Sequence, residues 1–199
     1  YVTAVGRRAL YSNTSGINAA FGDYAGYSTT TGSLNTVVGN EALQDNTTGS
    51  NNTAVGYLAL HSNTTASNNT AVGYRAAYSN NNTNGSHVAI GYLALTSNTE
   101  GNQNTAVGRE ALENNISGSN NTAVGFLALN ANTASDNVAV GVNASWKNTT
   151  GTANTSLGRS TLRNSTTGSN NTAVGHDALR SNTTANANTA VGYQALYDN

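Results

Sequence analysis

Apolar and polar positions along this chain recur on a period of 17 residues. Twelve glycines, from Gly6 to Gly192, follow one another at that interval, with two intervals of 16 and one of 18. The residue before each glycine is always apolar, and the third residue after it is alanine in every copy except Thr161. The fourth is leucine in nine copies, with Gly26, Ala77 and Ser145 as the departures. Asparagine stands four residues before the glycine in ten copies and seven after it in another ten, with Thr, Ser and Gly filling the stretch between. Each unit therefore carries two short apolar pieces separated by a polar turn.

The first piece reads Thr-Ala-Val and is closed by glycine. β-branched residues on both sides of a small one predict a strand of three to five residues. The second piece, Tyr-x-Ala-Leu, lies between the glycine and an Asn-Thr-Thr-Gly turn. That is too short to repay helix nucleation, and no 3.6-residue stripe crosses the unit. A leucine-rich repeat needs more leucines and a longer unit. The pattern predicts an all-β parallel solenoid, a β-roll of about twelve 17-residue coils in which each unit rests only on its neighbours. Strands of successive coils lie about 4.8 Å apart, which predicts a rod of roughly 55 Å.

Stacking converts repeat positions into columns. The strictest two are expected to be buried: Val55, Val72, Val107, Val124, Val174 and Val191 before the glycine, and Ala59, Ala76, Ala111 and Ala128 after it. Leu60, Leu95, Leu112, Leu129, Leu179 and Leu196 join them. Ala-Val and Ala-Leu are adjacent pairs, and adjacent side chains on a strand face opposite ways. One face then lines the chain's own interior, and the other is expected to meet another copy of the same chain. Repeated Asn suggests amide ladders that satisfy turn backbone. The glycine column marks a bend or a position of positive φ.

Composition adds exclusions. Only 9% of residues are charged and the formal net charge is −1, so electrostatics draws the chain neither to nucleic acid nor to an anionic membrane. No apolar run is long enough for a membrane span. The absence of proline suits coils that offer every N–H to a neighbour. The absence of cysteine excludes disulfides and thiolate metal sites. The array fills residues 1–199 without a linker and is expected to be an uncapped segment of a longer fibre. Open ends of this kind invite end-to-end pairing.

Catalytic chemistry finds little support. His61, His87 and His176 occupy different repeat positions without acidic partners at ligand spacing, and are expected to be surface residues. Asp23, Glu41, Glu110, Glu113 and Asp177 fall in variable, exposed-looking columns without a convergent pair. No serine sits in a nucleophile-elbow motif, no glycine-rich calcium repeat is present, and no lysine follows the glycines as a phosphate loop requires. Neither enzymatic activity nor a cofactor or metal is expected. Asn-x-Ser/Thr sequons follow automatically from the turn and carry no message about glycosylation.

Tyrosines provide the surface signal. Tyr57, Tyr74 and Tyr92 occupy the column just after the glycine in three successive coils, and Tyr11, Tyr27, Tyr78 and Tyr197 share another. The first set is a candidate contact strip for a sugar or another fibre, although ring-on-ring stacking that stiffens the coil is the simpler expectation. The threonines of the turn, such as Thr30, Thr47 and Thr64, raise the further idea of an ice-binding face, interrupted here by Asn81 and Ile116.

The Asn-Thr-Ala-Val-Gly unit, with its variants Asn18–Gly22, His87–Gly91 and Asn137–Gly141, resembles the Asn-Ser-Val-Ala-Ile-Gly head repeat of trimeric autotransporter adhesins. Similar arrays occur in bacterial surface and phage tail-fibre proteins. The resemblance covers all twelve copies. It implies a left-handed β-roll in which three chains wind about one axis and share the apolar columns between core and trimer interface. The unit of those adhesins is shorter, so the additional residues here are assigned to the turn. Their neck, coiled-coil stalk and membrane anchor have no counterpart among these residues. The sequence thus leads to a structural rod, the shaft or body of an extracellular, cell-surface or virion fibre, assembled as a homotrimer. An adhesin head or glycan-binding fibre module is the alternative.

Overall fold

The computed structural model describes residues 1–82 and 85–198, and Asn199, the last member of the second Asn column, lies outside them. Its twelve strands are β1 Val2–Val5, β2 Asn18–Phe21, β3 Asn35–Val38, β4 Thr53–Val55, β5 Thr70–Val72, β6 Val88–Ile90, β7 Thr105–Val107, β8 Thr122–Val124, β9 Val138–Val140, β10 Thr155–Leu157, β11 Thr172–Val174 and β12 Thr189–Val191. They form one parallel sheet in chain order, each strand pairing with the strands of the coils before and after it. The fold is the all-β solenoid that the 17-residue period predicts.

Register is kept from end to end. Ala54 pairs with Ala71, and Ala71 with Ala89, across the 18-residue interval. Val124 pairs with Val140 across a 16-residue one. Length changes are therefore absorbed in the polar turn, where an extra or missing residue disturbs no strand.

The glycine column explains its own strictness. Its φ angles lie between +122° and +143°, a region that L side chains rarely adopt. A Cβ on Gly125 would lie 2.5 Å from the Gly141 carbonyl oxygen of the next coil. Backbone conformation and stacking distance demand the same residue.

The second apolar piece is a run of turns. In the coil from Gly73 to Asn80, the N–H groups of Ala76, Tyr78 and Asn80 donate to the carbonyls of Gly73, Arg75 and Ala77 at 3.3, 3.3 and 3.1 Å. The intervening N–H groups reach other coils: Arg75 donates to Tyr57 O at 3.0 Å, and Ala77 and Ser79 donate to Ala94 O and Thr96 O at 2.9 and 3.0 Å. Every second residue is left-handed, so the leucine column has positive φ throughout, for example Leu60 at 52° and Leu112 at 51°. That conformation costs about 1–2 kcal/mol for an L residue. Burying a leucine side chain is worth about 1.5–3 kcal/mol, which offsets the strain. Gly26, at φ 59° in the same column, forgoes both.

Three inner columns make the core: the inward residue two before the glycine, alanine in every strand but β3 (Val37) and β10 (Ser156), the alanine three after the glycine, and the leucine beside it. Two asparagine ladders flank them. Asn52 Oδ1 accepts from the backbone N–H and the Nδ2 of Asn69 at 3.0 and 3.1 Å, while Asn52 Nδ2 donates to Ala66 O at 2.9 Å. In the second ladder Asn63 Nδ2 donates to Asn46 Oδ1 at 3.0 Å and to Ala66 O at 3.1 Å. Both amides thus close on the turn carbonyl between them, and the polar turn has its acceptors satisfied without leaving the coil.

One layer breaks the apolar core. The main cluster runs from Leu10 to Ala144, and a second begins at Leu162. Between them lie buried Ser145, Ser156 and Thr161. Ser145 Oγ and Ser156 Oγ are 2.9 Å apart, Ser156 Oγ donates to Val138 O at 3.2 Å, and Thr161 Oγ1 donates to Gly158 O at 2.9 Å. The hydroxyls of these three residues are all bonded, which makes the layer a polar seam.

Candidate functional site

With the inner columns spent on the core, the outer columns are what the rod offers. Along each strand Asn points in, Thr out, Ala in and Val out, as the alternation of buried and half-exposed positions in β4 and β5 shows. The valine column expected to be buried therefore lies on the outer face of the sheet. Val55, Val72, Val107, Val124 and Val174 are half-buried, Val38, Ile90 and Val140 are 38–39% exposed, and Val191 is exposed in the last coil. Strand phase is the reason: the asparagine takes an inward position as a ladder rung, which sets alanine inside and valine outside. Ala59, Ala76, Ala111, Ala128, Leu60, Leu95, Leu112, Leu129 and Leu179 are fully buried. Leu196, in the last coil of the structure, is 51% exposed.

The outer sheet face thus carries two parallel columns, Thr53, Thr70, Thr105 and Thr122 among the one and Val55, Val72, Val107 and Val124 among the other. Neither column holds a charged residue in any coil. Side by side they form a regular apolar and hydroxyl strip that runs the length of the rod.

Around the glycine corner, the tyrosine column is a stack. Ring centroids of Tyr57 and Tyr74 are 5.7 Å apart and those of Tyr74 and Tyr92 5.2 Å. Arg109 extends it, with its guanidinium carbon 5.6 Å from the centroids of both Tyr92 and Phe126. The ring faces cover one another and the edges meet solvent. In the parallel column Tyr11 stacks on Tyr27 at 5.5 Å, Tyr78 on His61 at 5.1 Å, and Arg180 lies over Tyr197 at 5.6 Å. At the first coils the glycine-following column holds an ion pair instead. Arg7 donates through Nε and Nη2 to Asp23 at 3.0 and 2.8 Å, and these hydrogen bonds hold the carboxyl below its usual range.

The turn threonines are already committed. Thr30 Oγ1 donates to Thr47 O at 3.0 Å and Thr47 Oγ1 to Thr64 O at 3.0 Å, so the hydroxyls that motivated an ice-binding face bind the next coil.

Two polar residues depart from the surface placement expected of them. His87 is 1% exposed and stands in the first Asn ladder, where its Nδ1 accepts the Asn104 N–H at 3.2 Å. The accepting Nδ1 requires the neutral ring, and burial pushes its pKa down to about 4. The signal was in the sequence, since His87 occupies the same repeat position as Asn69 and Asn104. Asp177 is 5% exposed, with its Oδ2 3.0 Å from His176 Nδ1 and its Oδ1 3.4 Å from Arg180 Nη1. His61 is half-buried beside Asp45, at 3.6 Å. Among the described residues no three His, Cys, Asp or Glu side chains converge as metal ligands, and no helix is long and apolar enough to cross a membrane.

No family model, no curated protein and no solved structure matches this chain.

Proposed function

We propose that the chain is a structural, non-enzymatic rod that works as a homo-oligomer, three copies packing through the threonine–valine face to build the shaft or body of an extracellular, cell-surface or virion fibre. The observation that carries the reading is that uncharged strip, repeated coil after coil on the outer side of a parallel sheet. Contiguous exposed apolar surface of this extent marks an association site. A second copy brings an identical strip with the same repeat of about 4.8 Å, so one good contact is multiplied along the whole rod. The resemblance to adhesin head repeats supports three chains around one axis.

The test separates the outer face from the core. Aspartates at Val107 and Val124 charge the strip without entering the interior, whereas Leu129→Asp charges the core. Val107→Asp with Val124→Asp is expected to give soluble single chains with an unchanged β spectrum by circular dichroism, and Leu129→Asp to unfold the coil. Undiminished assembly in the double valine variant overturns the reading.

The exposed edges of the Tyr57–Tyr74–Tyr92 stack favour a second role for the same fibre, contact with a cell surface or glycan. Because those rings cover each other's faces, such contact uses ring edges and the flanking Arg109. Replacing all three tyrosines by leucine would abolish glycan-array binding while leaving assembly intact.

A further inference from the structure

The cations of this chain are few and unevenly placed. Of its eight Lys and Arg, Lys147, Arg159, Arg163 and Arg180 fall within three consecutive coils beside the polar seam. Arg159, Arg163 and Arg180 line one open, polar cavity of about 340 Å³ together with Asn143, His176 and Asp177. That volume is at the small end of ligand pockets.

Not all of these charges are free. Asp177 forms ion pairs with His176 and Arg180 at 3.0 and 3.4 Å, although its buried Oδ1 makes no hydrogen bond, and Arg180 also donates to the Tyr197 hydroxyl at 3.0 Å. Arg159 and Arg163 have no carboxylate partner among the described residues, whereas Arg7 and Arg109 hold Asp23 and Glu110 at 2.8 and 2.9 Å. Arg163 rests on the ring of Trp146, the chain's one tryptophan, at 5.1 Å, and its Nε is buried without an acceptor. Three guanidiniums against one carboxylate leave two positive charges facing one cavity.

Like charges that line one cavity repel, and a buried N–H without an acceptor is costly. An anion entering the cavity relieves the repulsion, and the solvent-facing ends of the guanidiniums are what it meets, since the Arg163 Nε is itself buried. The planar donor forks of arginine match oxyanions in bidentate fashion, and two of them match a doubly charged tetrahedral group better than a single carboxylate. We propose that this cavity binds a phosphate or sulfate group, with Arg159 and Arg163 as the contacting forks and the Asp177–His176–Arg180 cluster as the frame beside them. The group arrives either as a free ion or as an ester on a saccharide. This site does not draw on the threonine–valine columns, since none of its lining residues belongs to them.

The test is calorimetric titration of the intact chain at low ionic strength with inorganic phosphate, inorganic sulfate and a heparin-derived sulfated disaccharide. Saturable binding of at least one of them is expected, weakened about tenfold or more by Arg159→Gln with Arg163→Gln and unchanged by Arg75→Gln, an arginine of a distant coil. Arg159→Gln alone leaves the Arg163–Trp146 contact in place and keeps the test open should the double variant not fold. A disaccharide that binds more tightly than both inorganic ions identifies the ester as the source, and binding of the ions alone identifies the free oxyanion. The proposal is overturned if none of the three titrates, or if Arg75→Gln weakens binding as much as the site variants.

Discussion

The coils from Gly39 to Gly125 and the coils from Gly141 to Gly175 share a backbone and differ inside. In the first region the inner columns are apolar in every coil, with Ala77 standing once for leucine, while in the second Ser145, Ser156 and Thr161 introduce hydrogen-bonded hydroxyls. Yet Ser156 still pairs with Ala139 below and Ala173 above, in the same register as every other strand. Register therefore comes from the backbone ladder, the glycine column and the first asparagine ladder, which continues through both regions with His87 as one of its rungs. The apolar columns contribute stability on top of a geometry already determined.

The contrast between the two regions is broken most strongly at the leucine column. Leu112→Ala in the uninterrupted region removes a fully buried side chain and is expected to cost about 3 kcal/mol in denaturant unfolding. Ser145→Ala, at the same repeat position in the seam, loses one hydroxyl contact while Ser156 keeps its bond to Val138, and is expected to cost about 1 kcal/mol. Equal losses at the two positions would mean that the seam is as tightly packed as the rest.

The ladder itself can be tested through pH. The folded-state pKa of His87, about 4, lies below the ordinary histidine value near 6.5, so the unfolded chain takes up a proton first. Its contribution to stability is fully present above pH 6.5 and is lost as pH falls from 6.5 to 4, by about 3 kcal/mol in all. His87→Asn, which restores the ladder's usual rung, is expected to flatten the curve in that window. A wild-type curve with the same shape as the variant's would remove His87 from the account.

One change is expected to run the other way. Ser145→Leu with Ser156→Ala rebuilds the standard columns across the seam and is expected to raise stability by about 2 kcal/mol. It should also merge the two core clusters into one cooperative unit, so that amide exchange in the last three coils slows toward the rate of the centre.

Much of this was legible from the repeat alone. A 17-residue period, a glycine that nothing replaces, and asparagine at two constant positions lead directly to stacked coils, left-handed backbone at glycine and amide ladders. What escaped was strand phase. Polar residues are ordinarily placed outward, and with Asn52 outward Val55 would turn inward. The ladder reverses this, because a stacked amide satisfies itself inside. The left-handed leucines were equally hidden, since leucine has no preference for that conformation and takes it only where interleaved turns impose it. The Arg159–Arg163 cavity was invisible for a different reason: its residues come from neighbouring coils and vary in their columns, so no single motif holds them.

The measurement that bears most directly on the account is the mass of the unmodified chain in solution by sedimentation equilibrium. Association through the threonine–valine face predicts a particle of three times the 20.3 kDa of one chain. A particle of 20.3 kDa that persists at the highest attainable concentration contradicts it.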